Sequence, residues 1–217
     1  MAHILLTAGP TRSYIDDVRY LTNASSGRMA HALATSALEC GHDITIVSGP
    51  VSIQYPKRAR VIPVVTTAEM LTQSLQELKH CNGVIAAAAP CDFEPVKKNS
   101  GKIPRRGNGM TVELKPTPDV IATLASQSKN NTNNQVCPKW FVAFALEPEA
   151  DKLRACEKVT SKHCDLIVVN DLTALEASTN SIDVYNAAHE HIGKTTGSKK
   201  TVAMWLLRLI ETQLMAC

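Results

Sequence analysis

Short apolar runs alternate with segments of helical periodicity along the chain, and this alternation restricts the possible folds more than any other feature. The runs that predict strands cover residues 3–8, 43–48, 60–65, 83–89, 140–145 and 166–169, and the helical segments begin near Met29, Thr66, Thr117, Pro148 and Thr201. Repeated strand–helix–strand order predicts a mainly parallel sheet with helices on both faces, an α/β Rossmann-like three-layer fold. A length of 217 residues suits one such domain, covering residues 1–217.

Local signals refine this outline at several helix and strand ends. Thr66 followed by Glu69 predicts a capping box. In the Thr117-Pro118-Asp119 sequence we expect Thr117 to cap a helix, with the carboxylate facing the positive end of the helix dipole. Residues 110–114 are predicted as a short strand, residues 182–185 as a sheet edge, residues 130–134 as a polar surface connection and residues 201–215 as a terminal helix.

Charge and cysteine content narrow the class of protein. A net charge of +3 at pH 7, without a long basic run, gives no argument for binding nucleic acid or a membrane surface. The seven Cys form no CxxC pair, so neither a disulfide framework nor a structural metal site is expected. No apolar stretch approaches the length of a membrane span, and the first residues lack a charged n-region followed by an h-region, so no secretory leader is expected. We therefore expect a cytoplasmic protein that acts on a small anionic substrate.

The connection between the first strand and the first helix, residues 9–30, is far longer than such connections usually are. It is rich in hydroxyl, Arg, Asp and Asn side chains, a composition typical of a binding loop. Its last part, residues 23–27, offers Asn and Ser caps and free backbone N–H groups at a helix N-terminus, where an anion is favoured. The loop therefore predicts a phosphate-binding site.

This loop reads Gly-Pro-Thr-Arg-Ser-Tyr-Ile-Asp-Asp-Val-Arg-Tyr-Leu-Thr-Asn-Ala-Ser-Ser-Gly-Arg-Met from Gly9 to Met29. It closely resembles the signature of the phosphopantothenate–cysteine ligases (phosphopantothenoylcysteine synthetases) of coenzyme A biosynthesis. Only Asp17, where Pro is usual, and Arg28, where Lys is usual, depart modestly from the bacterial pattern. The resemblance extends over nearly the whole chain, and it is strongest in the first half.

A second long loop, residues 90–109, follows the fourth predicted strand, and we call it the basic flap. Its cations are Lys97, Lys98, Lys102, Arg105 and Arg106. Taken alone, such a charge run is more often a solvated loop than a site. The resemblance implies more, because the spacing from Asp92 to Lys102 matches the family's spacing from an Asp to a lysine that contacts the nucleotide triphosphate. Pro90, Cys91 and Pro104 depart from the family pattern.

The resemblance also implies roles for individual residues. Arg19, Asn23 and Lys102 are the expected catalytic residues, and Arg19, Asn23 and Ala89 are expected to contact the acyl substrate. The expected nucleotide contacts are Gly9, Thr11, Ser25, Ser26, Gly27, Ala88, Ala89, Asp92, Lys102 and Phe144. Structural alternatives stay open: Asn23 could be a helix cap, and Phe144 could be a core residue at a strand end. The family's Asn-Asp turn falls on Asn170 and Asp171, where an architectural role is expected.

The activity implied by the resemblance has two steps. The carboxylate of 4'-phosphopantothenate attacks the α-phosphorus of CTP to give an acyl-cytidylate, and the amine of L-cysteine then displaces CMP. Mg²⁺, bound mainly through the nucleotide phosphates, and a homodimer are expected. No flavin is expected, because the decarboxylase domain of many relatives has no counterpart in this sequence.

Two other functions stay open at this stage. An NAD(P)-dependent oxidoreductase is disfavoured, because residues 7–11 lack the G-x-G-x-x-G pattern and no acidic residue follows the second strand in the ribose-binding position. A non-catalytic nucleotide-binding module on the same fold is the other alternative.

Overall fold

The computed structural model of the chain describes residues 1–105, 107, 109–130, 138–146, 152–170 and 179–215. Several predicted features fall outside this range. They are Arg106 of the basic flap, residues 131–134 of the polar connection, the first residues of the helix predicted to begin at Pro148, and Asp171.

The strands are β1 (His3–Ala8), β2 (Arg12–Tyr14), β3 (Tyr20–Thr22), β4 (Asp43–Ser48), β5 (Arg60–Pro63), β6 (Gly83–Ala86), β7 (Phe93–Pro95), β8 (Leu114–Pro116), β9 (Trp140–Leu146), β10 (Leu166–Asn170), β11 (Thr179–Asn186) and β12 (His191–Ser198). The helices are α1 (Arg28–Glu39), α2 (Thr67–Leu78), α3 (Val120–Asn130), α4 (Lys152–Ser161) and α5 (Lys199–Leu214). Each helix predicted from the apolar periodicity is therefore present among the described residues, and α1, α2, α3 and α5 begin within a few residues of the predicted positions.

Eight strands form one sheet in the order β12-β11-β10-β9-β6-β1-β4-β5. The strands from β10 to β5 in this order are parallel, and β11 and β12 are antiparallel. This confirms the Rossmann-like α/β fold with a mainly parallel sheet. The chain runs outward from β1 to β5 and then returns to place β6 on the other side of β1. The carboxyl ends of β1 and β6 therefore form the switch point where such sheets bind ligands.

The two faces of the sheet are covered by different helices, which explains the continuous apolar run of β1. Ile4 and Leu6 pack in one cluster with residues of α1 and α5, whereas Leu5 packs in the opposite cluster with residues of α2 and α3. All three side chains are fully buried. Burying a side chain of this kind contributes about 1.5–3 kcal/mol of transfer free energy.

The sheet edge differs from the prediction. Residues 182–185 were expected to form the edge strand, but they lie inside β11, and β12 covers them on the outside. The sequence of β12 contains His, Gly, Lys and Thr, and its residues are mostly exposed or half-exposed. Such a strand lacks an apolar pattern, and its pairing with β11 keeps it in place.

Two small hairpins lie outside the main sheet. The long loop after β1 contains β2 and β3, which pair with each other and were not predicted. The short strand expected at residues 110–114 is instead β8, which begins at Leu114 and pairs with β7 at the start of the basic flap. Because these strands are three residues long, their pairing leaves almost no sequence signal.

Helix starts test the capping predictions. The capping box of α2 is confirmed, since the Thr66 side chain accepts from the backbone N–H of Glu69 and the Glu69 carboxylate accepts from that of Thr66. The cap predicted at Thr117 is wrong. Its hydroxyl donates to the carbonyl of Cys91 (2.6 Å), and Asp119 Oδ1 accepts from the N–H of Ala122 (3.1 Å) instead.

Candidate active site

An open cleft of about 800 Å³ lies at the carboxyl ends of the central parallel strands. Most of its lining comes from four structural parts. They are the loop and first turn of α1 (residues 23–30), the turn after β6 (residues 86–93), the segment leading into α3 (residues 116–121) and the end of β9 (residues 143–146). The predicted contacts Asn23, Ser25, Ser26, Gly27, Ala88, Ala89, Asp92 and Phe144 all line this one cleft.

The first turn of α1 presents its backbone to the cleft. Gly27 occupies the N-cap position with φ 73°, and no side chain caps the helix. The Asn and Ser caps predicted for this helix are therefore wrong. A Cβ atom at Gly27 would lie 2.9 Å from Val51 Cγ1 and 3.3 Å from the Tyr55 hydroxyl, so the position requires Gly for both its conformation and its packing. The uncapped N–H groups at this helix end favour an anion.

Asn23 joins the two loops of the cleft. Its Nδ2 donates to the carbonyl of Pro90 at 2.8 Å and to that of Ala89 at 3.3 Å. The alternative that Asn23 caps a helix is thereby excluded. These bonds hold the loop before α1 against the turn after β6. Within the described part of the chain, the Asn23 Oδ1 atom has no hydrogen-bond partner.

Gly9 and Thr11, two predicted nucleotide contacts, lie behind the wall of the cleft. Gly9 is buried with φ 70°, and a Cβ atom there would lie 2.8 Å from Val51 Cγ1. Thr11 is fully buried, and its hydroxyl accepts from the N–H of Cys91 (2.8 Å) and bonds the hydroxyl of Thr67 (2.8 Å). Both residues therefore shape the loop rather than line the cleft.

Phe144 and Asp92 are two further predicted contacts that line the cleft. Phe144, near the end of β9, is half-buried and packs against the core cluster under α1, so part of its ring is in contact with the protein and part is accessible from the cleft. Asp92 follows the Ala-rich turn, and its side chain is exposed while its backbone carbonyl accepts from the N–H of Thr117. A flat apolar side chain and a free carboxylate are groups suited to a nucleoside.

The structure does not bring Arg19 and Lys102 into the cleft. Arg19, in the β2–β3 hairpin, donates from Nη2 to the carbonyl of Ile103 in the basic flap (3.0 Å) and lies 3.6 Å from the buried carboxylate of Asp16. Lys102 precedes Ile103, and its side chain is exposed and outside the cleft lining. In this conformation Arg19 holds the flap, and Lys102 is carried by the segment that Arg19 holds.

Four cations that were not among the predicted site residues line the cleft: Arg28, Lys158, Lys162 and Lys199. Arg28 lies at the end of the signature loop, at the first residue of α1, whereas Lys158 and Lys162 come from α4 and the residue after it, and Lys199 comes from α5, so no local motif contains these three lysines. Lys162 also forms an ion pair with Asp119 (2.9 Å) at the start of α3. Burial, and then the positive charge of Arg28, lower the pKa of Lys199. An anion bound beside these two residues would offset their mutual repulsion.

Two asparagines complete the lining beside these cations. Asn180, on β11, donates to Asn170 at the end of β10 (3.4 Å). Asn180 is 4% exposed, and its Oδ1 is buried without a hydrogen-bond partner among the described residues. Asn170 belongs to the turn that was expected to be architectural, but it lines the cleft. Asn180 could not be found from the sequence, because it lies in a strand that was predicted to begin two residues later.

Comparisons with known proteins show the family to which the chain belongs. Residues 1–214 match the family described as the DNA/pantothenate metabolism flavoprotein C-terminal domain. The chain belongs to this family. The resemblance seen in the loop after β1 is thereby confirmed, because the family includes the C-terminal domain of the coenzyme A biosynthesis bifunctional protein CoaBC.

Individual relatives support the assignment. The chain is 37% identical over 188 residues to the coenzyme A biosynthesis bifunctional protein CoaBC of Bacillus subtilis (strain 168), covering 84% of this chain and 44% of the relative. It is 35% identical over 214 residues to a cysteine/cysteine sulfinic acid decarboxylase of an unknown prokaryotic organism, covering 96% of this chain and 58% of the relative. The crystal structure of the CoaBC C-terminal domain matches with a TM-score of 0.79 and 30% identity, covering 97% of this chain and 94% of that one.

The chain thus spans about half the length of the curated relatives it matches. Among the described residues, no helix is long and apolar enough to cross a membrane. The same residues contain no group of three or more His, Cys, Asp or Glu placed to hold a metal ion.

Proposed function

We propose that this family member joins 4'-phosphopantothenate to L-cysteine with CTP, as a phosphopantothenate–cysteine ligase. The observation that carries the proposal is the single cleft at the β1/β6 switch point. The second half of the signature loop, the Ala-rich turn and Phe144 all line it, together with the cations Arg28, Lys158, Lys162 and Lys199. A site with uncapped helix N–H groups and several cations is suited to a substrate with a triphosphate and to one with a phosphate.

The first step would form a bond between a carboxylate oxygen of phosphopantothenate and the α-phosphorus of CTP, with pyrophosphate leaving. Negative charge is concentrated in this step, and Lys199, Arg28 and the first turn of α1 would hold the phosphates. Lys102 would approach the triphosphate from the basic flap. Mg²⁺ bound to the nucleotide phosphates would add charge neutralisation.

The second step would join the amine nitrogen of cysteine to the acyl carbon, with CMP leaving and one proton lost from the amine. Asn23 is proposed to hold the acyl carbonyl, and Ala89 to contact the same end of the substrate. Arg19 lies outside the cleft and would have to exchange its bond to the carbonyl of Ile103 for one to this end of the substrate. Because Asn23 Nδ2 already donates to the carbonyls of Ala89 and Pro90, the substrate carbonyl would take the place of one of them. Ser25, Ser26 and Gly27 would bind phosphate oxygens through the helix end.

The nucleoside would lie between Phe144 and the turn that carries Ala88, Ala89 and Asp92.

We also propose that the protein works in the cytoplasm as a homodimer. The exposed apolar side chains of the hairpin and flap region, among them Tyr20, Leu21, Phe93 and Leu114, are consistent with a covered surface there. Sedimentation equilibrium of the purified protein would test the dimer, and a monomer at micromolar concentration would contradict it.

The activity is tested by incubating the purified protein with phosphopantothenate, cysteine, Mg²⁺ and either CTP or ATP, and measuring pyrophosphate and product mass. We expect phosphopantothenoylcysteine with CTP well ahead of ATP, with no decarboxylated product and no flavin absorbance. Equal use of ATP would overturn the CTP assignment alone. Binding of CTP without pyrophosphate would favour a non-catalytic nucleotide-binding module.

Half-reactions separate the proposed roles. Lys102→Gln should slow pyrophosphate release by roughly 10²–10³-fold, as for the loss of one oriented contact to developing charge. Asn23→Asp should impair cysteine transfer more than activation and should therefore accumulate acyl-cytidylate. Because a carboxylate would also be repelled by the carbonyls of Ala89 and Pro90, Asn23→Ala is the matched variant without that repulsion. Equal loss of one step in all variants would refute the division of roles.

A further inference from the structure

The turn of the β2–β3 hairpin is attached to the basic flap through buried and charged hydrogen bonds. Asp16 is fully buried, and its Oδ1 accepts from the N–H groups of Val18 (2.8 Å) and Arg19 (2.7 Å) within the turn. Its other oxygen, Oδ2, accepts from the N–H of Ile103 in the flap (3.1 Å). One carboxylate therefore shapes the turn with one oxygen and binds the flap with the other.

The same flap residue, Ile103, is also held through its carbonyl group. Arg19 donates to the carbonyl of Ile103 (3.0 Å), so that the N–H and the C=O of one residue are bound by Asp16 and Arg19, which lie 3.6 Å apart. Asp17 accepts from the N–H of Gly101 (2.6 Å). The backbone is therefore fixed immediately before and immediately after Lys102.

A third attachment lies earlier in the flap. The ammonium group of Lys98 is 2.8 Å from Asp17 Oδ1, and the N–H of Asn99 donates to the carbonyl of Ile15 (3.0 Å). Together these contacts join hairpin residues 15–19 to flap residues 98–103, and we call the whole set the flap clamp.

We propose that Asp16 is a positioning residue that holds the basic flap in the place from which Lys102 reaches the substrate phosphates. This inference rests on the proposed function for the role of Lys102, but the attachment of the flap is a separate property. A buried carboxylate is stable only when its oxygens are bound by donors, and the flap supplies the donor that the turn lacks. Release of the flap would leave Asp16 Oδ2 without this N–H, so docking is favoured.

The protonation of Asp16 agrees with this arrangement. Burial acts to raise the pKa of Asp16, but the N–H groups of Val18, Arg19 and Ile103 outweigh it and lower the pKa below its ordinary value. The carboxylate is consequently ionised at neutral pH, as an acceptor of three N–H groups must be.

Asp16→Asn separates the two tasks of this side chain. The amide oxygen can keep the two bonds of the turn, while the amide nitrogen then faces the N–H of Ile103 and cannot accept from it. Asp43→Asn is the matched control, because Asp43 is an exposed carboxylate at the start of β4 that has no side-chain hydrogen bond among the described residues. Both variants remove one negative charge.

Limited trypsin digestion of the full chain tests the clamp without any activity. We expect cleavage after Lys97, Lys102 and Arg105 to be on the order of tenfold faster in Asp16→Asn than in the wild type or in Asp43→Asn. The unfolding midpoint should stay near that of the wild type. Unchanged cleavage would overturn the clamp. If Asp16→Asn does not fold, Asp17→Asn removes the Gly101 and Lys98 contacts from an exposed position, and the same expectation applies to it.

A double-mutant cycle tests the link to Lys102. Pyrophosphate release is measured for Asp16→Asn, Lys102→Gln and the double variant. If Asp16 acts through Lys102, the double variant should be no slower than Lys102→Gln alone. If the rate loss in the double variant is instead the product of the losses in the two single variants, the positioning role is overturned. If the wild type releases no pyrophosphate, the proposed function fails, whereas the digestion still reports on the clamp.

Discussion

Replacing Thr11 by Val separates a structural role of the signature loop from a nucleotide contact. Sequence resemblance predicts Thr11 as a nucleotide contact, but its hydroxyl is buried and bonded to the N–H of Cys91 and the hydroxyl of Thr67, each at 2.8 Å. Val has the same branched shape, with a methyl group in place of the hydroxyl. The substitution therefore deletes those two hydrogen bonds and leaves the volume nearly unchanged.

The free-energy cost of Thr11→Val depends on which of the groups bonded to the Thr11 hydroxyl are left without a hydrogen-bond partner. Thr67 keeps a partner, because its hydroxyl also donates to the carbonyl of Cys91 (3.3 Å). The N–H of Cys91 is left unbonded in a buried place, which costs about 1–3 kcal/mol. We therefore expect Thr11→Val to lower the free energy of unfolding by about 2 kcal/mol, a fall of roughly 4–8 °C in the midpoint for a chain of this size.

Urea denaturation measures the free energy, and an unchanged m-value would show that the unfolded state is unaffected. Thr11→Ser keeps the hydroxyl and should recover most of the loss. CTP binding to the folded variant, measured by calorimetry, should change little. Wild-type stability together with lost CTP binding would refute this reasoning, because the hydroxyl would then contact the nucleotide directly.

Three further predictions follow from packing and charge. Gly83→Ala should prevent stable folding, because its Cβ would lie 2.0 Å from the ring of Trp140, and thermal unfolding would show it. Lys199→Met should weaken CTP binding about tenfold or more, as for the loss of a charged hydrogen bond, whereas Lys200→Met, which removes a lysine paired with Glu39, should bind normally in calorimetry. Burial raises the pKa of Asp165, so the folded state binds its proton more tightly than the unfolded state does. The free energy of unfolding therefore falls as the pH rises from the ordinary Asp pKa of 3.8 through the higher pKa of the folded state. Asp165→Asn should therefore stabilise the protein at pH 7 relative to wild type, and the gain should vanish in denaturation curves taken below the ordinary Asp pKa of 3.8.

The order of strands and helices could be predicted because each central element has a strong local pattern. β1 is apolar on both faces since helices cover both sides of the sheet, and α2 carries its capping box in the sequence itself. Among the elements that were missed, β2, β3 and β7 are only three residues long, and β12 has no apolar pattern of its own and is held by its pairing with β11. The run predicted as a strand at residues 83–89 ends at Ala86, because the following residues turn to line the cleft.

The cleft residues also differ in whether a local sequence pattern marks them. The sequence predicted its two loops, because a long polar connection after a buried strand is itself a signal. It did not predict Lys199 or Asn180. The sequence patterns of α5 and β11 indicate a helix and a strand of the fold, and nothing in these patterns marks a residue that lines a cleft. A side chain that reaches the cleft from the first residue of α5 looks, in sequence, like any other surface lysine. Only the sheet order, which places β11 and α5 beside β10 and α1, brings it to the site.

The signature loop also shows why a specific motif identifies a family more securely than it assigns contacts. Its second half, from Asn23 to Gly27, lines the cleft, whereas Thr11, Asp16 and Arg19 in its first half bind other parts of the protein. Residues that hold the loop together are as restricted in type as residues that bind a ligand. A buried hydroxyl or carboxylate with fixed partners cannot be exchanged without leaving a donor or acceptor unbonded. Substitutions in the first half should therefore change stability or flap docking first and nucleotide affinity only through them, and substitutions in the second half should do the reverse.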